Sequence, residues 1–279
     1  MRALAVPLLF LSLLTPPALC QQRIASLNLC TDLLLLELVA PERIVSLSYW
    51  AADPNMSYLA DRVQDIPLNH SLAEEIVPLS PDLVLAGQFS DVQVVSLLRQ
   101  LGLRVEVLDV PLTLAGLRPH LEAFGALVGE AEKATALADR IEQQLALVAA
   151  QSTRSAMPRP LAVVYGPQGV SPGRDTLMDD LLALTGYRNL AAEQGIASYG
   201  TLSLERLVMA EPDLLVIDDL VANRNSLAQQ ALDHPALRGR FSDQQVLTLP
   251  ANLTACVGPT VVEAAQQLSR ARGPAGAVQ

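Results

Sequence analysis

At 279 residues, with 51% hydrophobic side chains, the chain is long enough for two lobes or one large domain with complete cores. Its formal charge of −10 and pI near 4.7 exclude a nucleic-acid surface, which needs clustered Lys and Arg. Aromatic residues make up only 4%, so each one on a loop is worth noticing.

Residues 1–20, "MRALAVPLLFLSLLTPPALC", carry Arg2, an apolar run from Ala3 to Leu14 and a Pro-containing stretch, the pattern of an export signal. Ala18-Leu19-Cys20 satisfies a small-x-small cleavage rule and would leave Gln21 first. The run is too short to span a bilayer. A lipid anchor on Cys20 is the alternative, with Leu19 a poor fit to it. No later stretch is long and apolar enough to cross a membrane. With Cys20 removed or lipidated, Cys30 and Cys256 remain, an even number for an oxidising compartment.

The first mature strand is predicted over 23–29 and a leucine-rich helix over 31–39, followed by a strand over 44–48. "SLAEEIVPLSPDLVLAG" (71–87) reads as a short helix, a Ser-Pro-Asp turn and a buried strand. A helix over 90–102 and a strand over 103–110 follow. Strands that are continuous apolar runs alternating with helices predict a parallel sheet covered on both faces. From about Leu112 to Gln151 the pattern is helical, with Pro119 as its one proline. "STRSAMPRP" then breaks the helix, and the strand "LAVVYG" (161–166) opens a second α/β series.

That series repeats the first. "EEIVPLSPDLVL" (74–85) aligns with "ERLVMAEPDLLV" (205–216) without a gap at an offset of 131, so that Glu74 matches Glu205, Pro81 matches Pro212 and Asp82 matches Asp213. A single Pro-Asp segment is a common helix-to-strand turn; two at equivalent places point to two related lobes joined by one long helix. The boundaries expected are 21–125 for an N-terminal lobe, 126–152 for the interdomain helix and 158–279 for a C-terminal lobe.

On these segments the chain resembles the periplasmic solute-binding proteins of ABC importers of the cobalamin and iron-siderophore type. "RIASLNLCTDLLLLELVAPERIVSLS", "SLAEEIVPLSPDLVLAG" and "LTLPANLTACVGPTVVEAAQQL" carry the resemblance, which covers essentially the whole mature chain. It implies two Rossmann-like α/β lobes, a rigid interdomain helix and a ligand cleft between the lobes. It also implies a monomeric, non-catalytic periplasmic receptor without a cofactor. Such a receptor captures a metal chelate, whether ferric siderophore, corrinoid or similar, and delivers it to a membrane permease.

The resemblance places Cys30 and Cys256 on opposite sides of the cleft. Three readings stay open: a disulfide across it, two separate small wall residues, or soft ligands for a metal together with His70. Tyr49 and Trp50 follow the second strand, and His70 precedes the repeat helix in a loop similar to a cleft-lining one. In the second lobe Tyr165, Arg174 and Tyr199 are the candidate contacts, Arg174 for an anionic group. A cobalamin binder is expected to carry a large aromatic just before His70, where this chain has Leu68 and Asn69. Glu74 and Glu205 match the family's permease-docking acids; plain helix N-terminal acids are the bland alternative.

Other classes have less support. No G-x-S-x-G or H-E-x-x-H occurs, and His70, His120 and His234 have no obvious nucleophile beside them. A receptor for bare metal ions, or for haem held through Cys30, His70 and Cys256, needs several converging ligands. An adhesive exported protein predicts no paired lobes.

Overall fold

The computed structural model describes residues 22–152, 159–218, 237 and 240–272; the leader with Cys20, and His234, lie outside them. In the N-terminal lobe β1 (Ile24–Ser26), α1 (Leu29–Leu38), β2 (Ile44–Ser48), β3 (Leu68–Asn69), α2 (Ala73–Ile76), β4 (Leu83–Gly87), α3 (Val92–Gln100) and β5 (Val105–Leu108) follow in turn. Its sheet has the order β3-β2-β1-β4-β5, with every pair parallel. β1 and β4 are buried at every residue, as central parallel strands with both faces covered must be.

The helical stretch expected from 112 to 151 divides into α4 (Leu117–Val128) and α5 (Ala131–Ser152). Gly129 is the reason. It closes α4 in the left-handed region at φ 77°, where only glycine carries no Cβ penalty. The two helices then pack back on each other, so closely that a Cβ on Gly125 would collide with Ala134. α5 buries Ala134, Leu137, Ala138, Ile141, Leu145 and Val148, a stripe at three- and four-residue spacing.

The C-terminal lobe contains β6 (Leu161–Val164), β7 (Val170–Pro172), α6 (Leu177–Leu184), β8 (Arg188–Asn189), α7 (Leu190–Glu193), β9 (Tyr199–Thr201), α8 (Leu204–Ala210), β10 (Leu214–Asp218), β11 (Val246–Leu249) and α9 (Val261–Ala271). Its parallel sheet runs β11-β10-β6-β8. That is the order β5-β4-β1-β2 of the first lobe with equivalent strands substituted. β7 and β9 form a separate antiparallel ribbon. These two- and three-residue strands, with β3 and β8, carry no readable periodicity and were not expected from sequence.

The internal repeat has an atomic counterpart. Asp82 Oδ2 accepts the N–H of Arg23 at 2.8 Å, at the start of β1, and Asp213 Oδ2 accepts that of Leu161 at 2.7 Å, at the start of β6. The residue two before each aspartate, Ser80 and Glu211, is left-handed at φ 46° and 45°. The Pro-Asp turn is thus a clip that ties the helix-to-strand turn to the neighbouring strand in both lobes.

One continuous core joins the lobes. Leu47, Leu83 and Leu85 of the first sheet share it with Phe124 of α4, Ile141 of α5, and Ala162, Leu181 and Val216 of the second lobe. At the carboxyl edge of the first sheet the packing turns polar. Ser26, Thr31, Asp32, Ser46, Ser48 and Asn69 are all buried there. Asn69 Nδ2 donates to Ser26 O, Ser46 Oγ and Leu47 O at 2.7–2.9 Å. Asp32 accepts from the Ser48 N–H at 3.1 Å and bonds its hydroxyl. This network ties α1, β1, β2 and β3 together directly beneath the loops that leave β2 and β3.

Burial pushes the Asp32 carboxyl up from 3.8 to about 7, although its bonds to Ser26 and Ser48 pull the other way. A folded-state pKa above the unfolded one means the folded protein holds the extra proton. Stability from this group is therefore complete below about 4 and is lost as pH rises to about 7. The loss is roughly 4 kcal/mol at most, the three-unit shift converted. Asp32→Asn keeps the Ser48 bonds and removes the titration. Urea unfolding across pH should show the variant gaining on the wild type through that window and becoming the more stable of the two above it.

Candidate functional site

Parallel strands deliver all their following loops to one edge, and in α/β sheets ligands bind outside that carboxyl edge. Here the two edges face a common cleft. On the first lobe's side lies a depression of about 400 Å³, lined by Asn28 and Cys30 after β1, Trp50 after β2, Ser71 after β3, Phe89 and Asp91 after β4, and by Ala255 and Cys256 of the other lobe. On the second lobe's side lies one of about 320 Å³, lined by Val164, Gly166, Pro172, Met178, Tyr199, Val216 and Ala255, among others. Ala255 borders both.

Between the depressions Cys30 and Cys256 form a disulfide with their Cα atoms 5.4 Å apart and a sequence separation of 226. Cys30 is the second residue of α1, behind the cap Asn28, whose Oδ1 accepts the N–H groups of Cys30 and Thr31 at 3.0 and 3.2 Å. Cys256 follows the turn Ala251–Leu253 and packs against Leu29, Leu33 and Leu59. Of the three readings the sequence left open, the structure holds the disulfide. The metal-ligand reading is corrected: paired sulfurs are not thiolates, and the described residues contain no cluster of three or more His, Cys, Asp or Glu that could hold a metal.

Most of the aromatic rim belongs to the first lobe. Trp50 is 40% exposed and lines its depression. Tyr49 lies beside it with ring centroids 4.4 Å apart, and His70 stacks on Tyr49 at 5.2 Å and 23°. Glu75 fixes the imidazole, its Oε1 3.0 Å from Nδ1, while Oε2 accepts the His70 N–H at 2.6 Å. The same bonds hold the Glu75 carboxyl below the usual carboxylate range. Asn69, just before His70, is consumed by the buried network, so no side chain from that position reaches the cleft. Phe89, 85% exposed and on the wall, was missed in the sequence. Its signal was available, an aromatic in the loop after a buried strand.

In the second lobe the expectations divide. Tyr199 lies on the wall, held opposite Pro172 by the β7–β9 ribbon, and burial raises the pKa of its hydroxyl. Tyr165 does not line the cleft. It is 4% exposed and packs with Val163, Leu190 and Leu202. Strand alternation explains the correction: Val164 and Gly166 face the depression, and the residue between them faces the other way. Arg174 is also displaced. It is exposed in a separate depression with Arg159, Arg188 and Glu193, which shares no lining residue with the cleft. His120 is half-buried behind the disulfide, beside Leu33, Tyr58 and Thr260, and partial burial lowers its pKa.

The described walls are largely apolar. Asp91 is the one charged residue among them, and its Oδ1 caps α3 through Gln93 N at 2.7 Å and Val94 N at 3.4 Å. Glu74 and Glu205 stand exposed in the first turns of α2 and α8. α2 begins two residues after the cleft-lining Ser71, and α8 five residues after the cleft-lining Tyr199. No helix among the described residues is long and apolar enough to cross a membrane.

Comparison with known proteins agrees with this geometry. The chain is similar to a cobalamin-binding protein of Halobacterium salinarum, 26% identical over 203 residues, 71% of this chain and 55% of that one. The match thus spans about half the length of that relative. It is 22% identical over 221 residues to an uncharacterized ABC transporter substrate-binding lipoprotein of Bacillus subtilis, covering 77% and 68% of the two chains. Among solved structures, a periplasmic heme binding protein from Pseudomonas aeruginosa has a TM-score of 0.72 at 24% identity, with 92% and 94% coverage. The periplasmic vitamin B12 binding protein of Vibrio cholerae has 0.67 at 17%, with 92% and 98%. Both show the same two-lobed fold. A family profile described as periplasmic binding protein matches residues 24–240, and the chain belongs to that family.

Proposed function

We propose that this protein is the ligand-capturing receptor of an ABC importer, working outside the cytoplasm, and that its ligand is a bulky chelate of the corrinoid class. The observation that carries the reading is the cleft itself: two apolar depressions at facing sheet edges, rimmed by Trp50, Phe89 and Tyr199. Amphipathic aromatic faces suit large, partly apolar ring systems. The described walls hold no Lys or Arg, and the chain carries a net charge of −10. Carboxylate-bearing haem and anionic ferric siderophores would want guanidinium partners there, whereas an uncharged or cationic corrinoid would not. The aromatic expected before His70 is replaced by Tyr49 and Trp50 from the neighbouring strand end, which answers the objection raised by Leu68 and Asn69.

A haem reading draws support from one feature. Glu75 engages His70 Nδ1, which leaves Nε2 free to meet a metal at the rim.

Titration of Trp50 fluorescence separates these ligands, because it is the protein's only tryptophan. Cyanocobalamin and dicyanocobinamide should quench it at micromolar concentration or below, and Trp50→Ala, followed by calorimetry, should weaken binding about tenfold. If hemin or a ferric hydroxamate binds and neither corrinoid does, the corrinoid assignment is wrong and the receptor assignment stands.

Glu74 and Glu205 supply the permease contact, through steering and registration of a basic partner surface. Reversing both to Arg should abolish uptake in cells while leaving ligand affinity unchanged. Uptake that survives the double reversal would remove the docking role from these two residues.

A further inference from the structure

Among the described residues the lobes are attached through a shared core, beside which Leu114 N–H donates to Asp180 Oδ2 at 2.8 Å, and again on the cleft side. Behind the cleft, α4 and α5 run through a core common to both sheets. On the cleft side stands the Cys30–Cys256 disulfide, backed by the Leu29, Leu33 and Leu59 cluster and by Asn252 Nδ2, which donates to Pro54 O at 3.0 Å. Two rigid bodies joined at one place can bend and twist about that joint. A second attachment, off the first, removes every rotation except the one about the line through both.

We propose that the Cys30–Cys256 bond is a clasp that fixes the aperture of the cleft and holds the wall between its two depressions in place. Both ends of the bond are stiff. Cys30 lies in the first turn of a ten-residue helix whose Asp32 is bonded to β2. On the other side Leu253 N–H, Thr254 N–H and Ala255 N–H close onto Pro250 O and Ala251 O at 2.9–3.0 Å. A constraint between two such elements passes into the lobes rather than being absorbed by slack loops. Ala255, next to Cys256, is the residue common to both depressions, so the clasp governs the wall and the aperture together. With the bond closed, ligand exchange proceeds across the rims of a cleft of nearly constant width. With it open, the lobes swing about α5 and the dividing wall loosens.

The clasp concerns the lobes and does not depend on which ligand they hold. Its test compares the oxidised protein with Cys30→Ser/Cys256→Ser, and with wild type reduced by a dithiol while still folded. In that reduction the S–S bond receives two electrons and two protons, leaves two thiols, and the dithiol departs as its own disulfide. The thiols are then capped with iodoacetamide. All samples are held well below their unfolding midpoints and read by small-angle scattering, acrylamide quenching of Trp50, and hydrogen exchange. The expected result is a larger radius of gyration, greater quenching of Trp50, and exchange about tenfold faster at residues 251–256. A lower unfolding midpoint with unchanged radius, quenching and exchange would overturn the proposal, leaving the bond as a staple for folding only. Should the double variant fail to fold, the reduced and capped wild type gives the same two outcomes.

Discussion

The structure depends on a parallel sheet's need for cover on both faces. Neither half of this chain can meet that need alone on its inner side. The pair α4–α5 supplies the cover for both at once, which is why Leu83 and Leu85 of one lobe and Leu214 and Val216 of the other belong to a single apolar cluster. Gly125 and Gly129 make the pair possible, one by letting the helices touch and the other by letting the chain turn between them. With the backs of the sheets thus joined, their carboxyl edges border adjoining depressions of one cleft.

Those edges are built differently. The first lobe ends in a buried, hydrogen-bonded polar network, and Tyr49, Trp50 and His70 are displayed immediately above it. A satisfied buried network rigidifies the backbone around it, since each lost bond would leave a dry polar atom. The aromatic rim is therefore held from beneath by Asp32, Ser48 and Asn69, and laterally by its own ring contacts and by Glu75 on His70. The second lobe has a smaller bed, in which the buried Asn189 donates to Pro172 O at 3.0 Å and to Asp179 Oδ1 at 2.9 Å, and the Thr176 hydroxyl bonds Gly173 O. It offers Met178, Pro172 and Tyr199, placed by a short ribbon. Both sides are held from beneath, and Met178 lets the second fit irregular shapes, because methionine fills gaps readily.

Much of this was legible in the sequence, and the reasons for the rest are physical. The parallel sheets, the order of elements and the repeat could be read because buried strands and Pro-Asp turns leave long, local patterns. The same locality hid the short strands β3, β7, β8 and β9, whose pairings are made between distant segments. Trp50 was placed at the cleft by counting residues past a strand, and Tyr199 by the family resemblance at its position just before the repeat helix. The same counting failed for Tyr165, one residue too early in the alternation of β6, and for Arg174, which the turn after β7 carries to another face. The role of Asp32 could not be read at all, since nothing near it in sequence reveals that Ser48 lies against it.

The disulfide acts on two ensembles, and its position separates them. On the unfolded chain it closes a loop across a sequence separation of 226, a restriction of about 5 kcal/mol in the chain-entropy model. That effect depends on sequence separation alone, and a bond behind the cleft, near α5, would provide much the same. On the folded chain it acts only through where it stands, and here it stands between two depressions on the free side of the hinge. A staple that served the unfolded chain alone would have no reason to stand between the two depressions of the cleft. A device that sets the width of the cleft has to bridge the lobes on that side, and this bond does so.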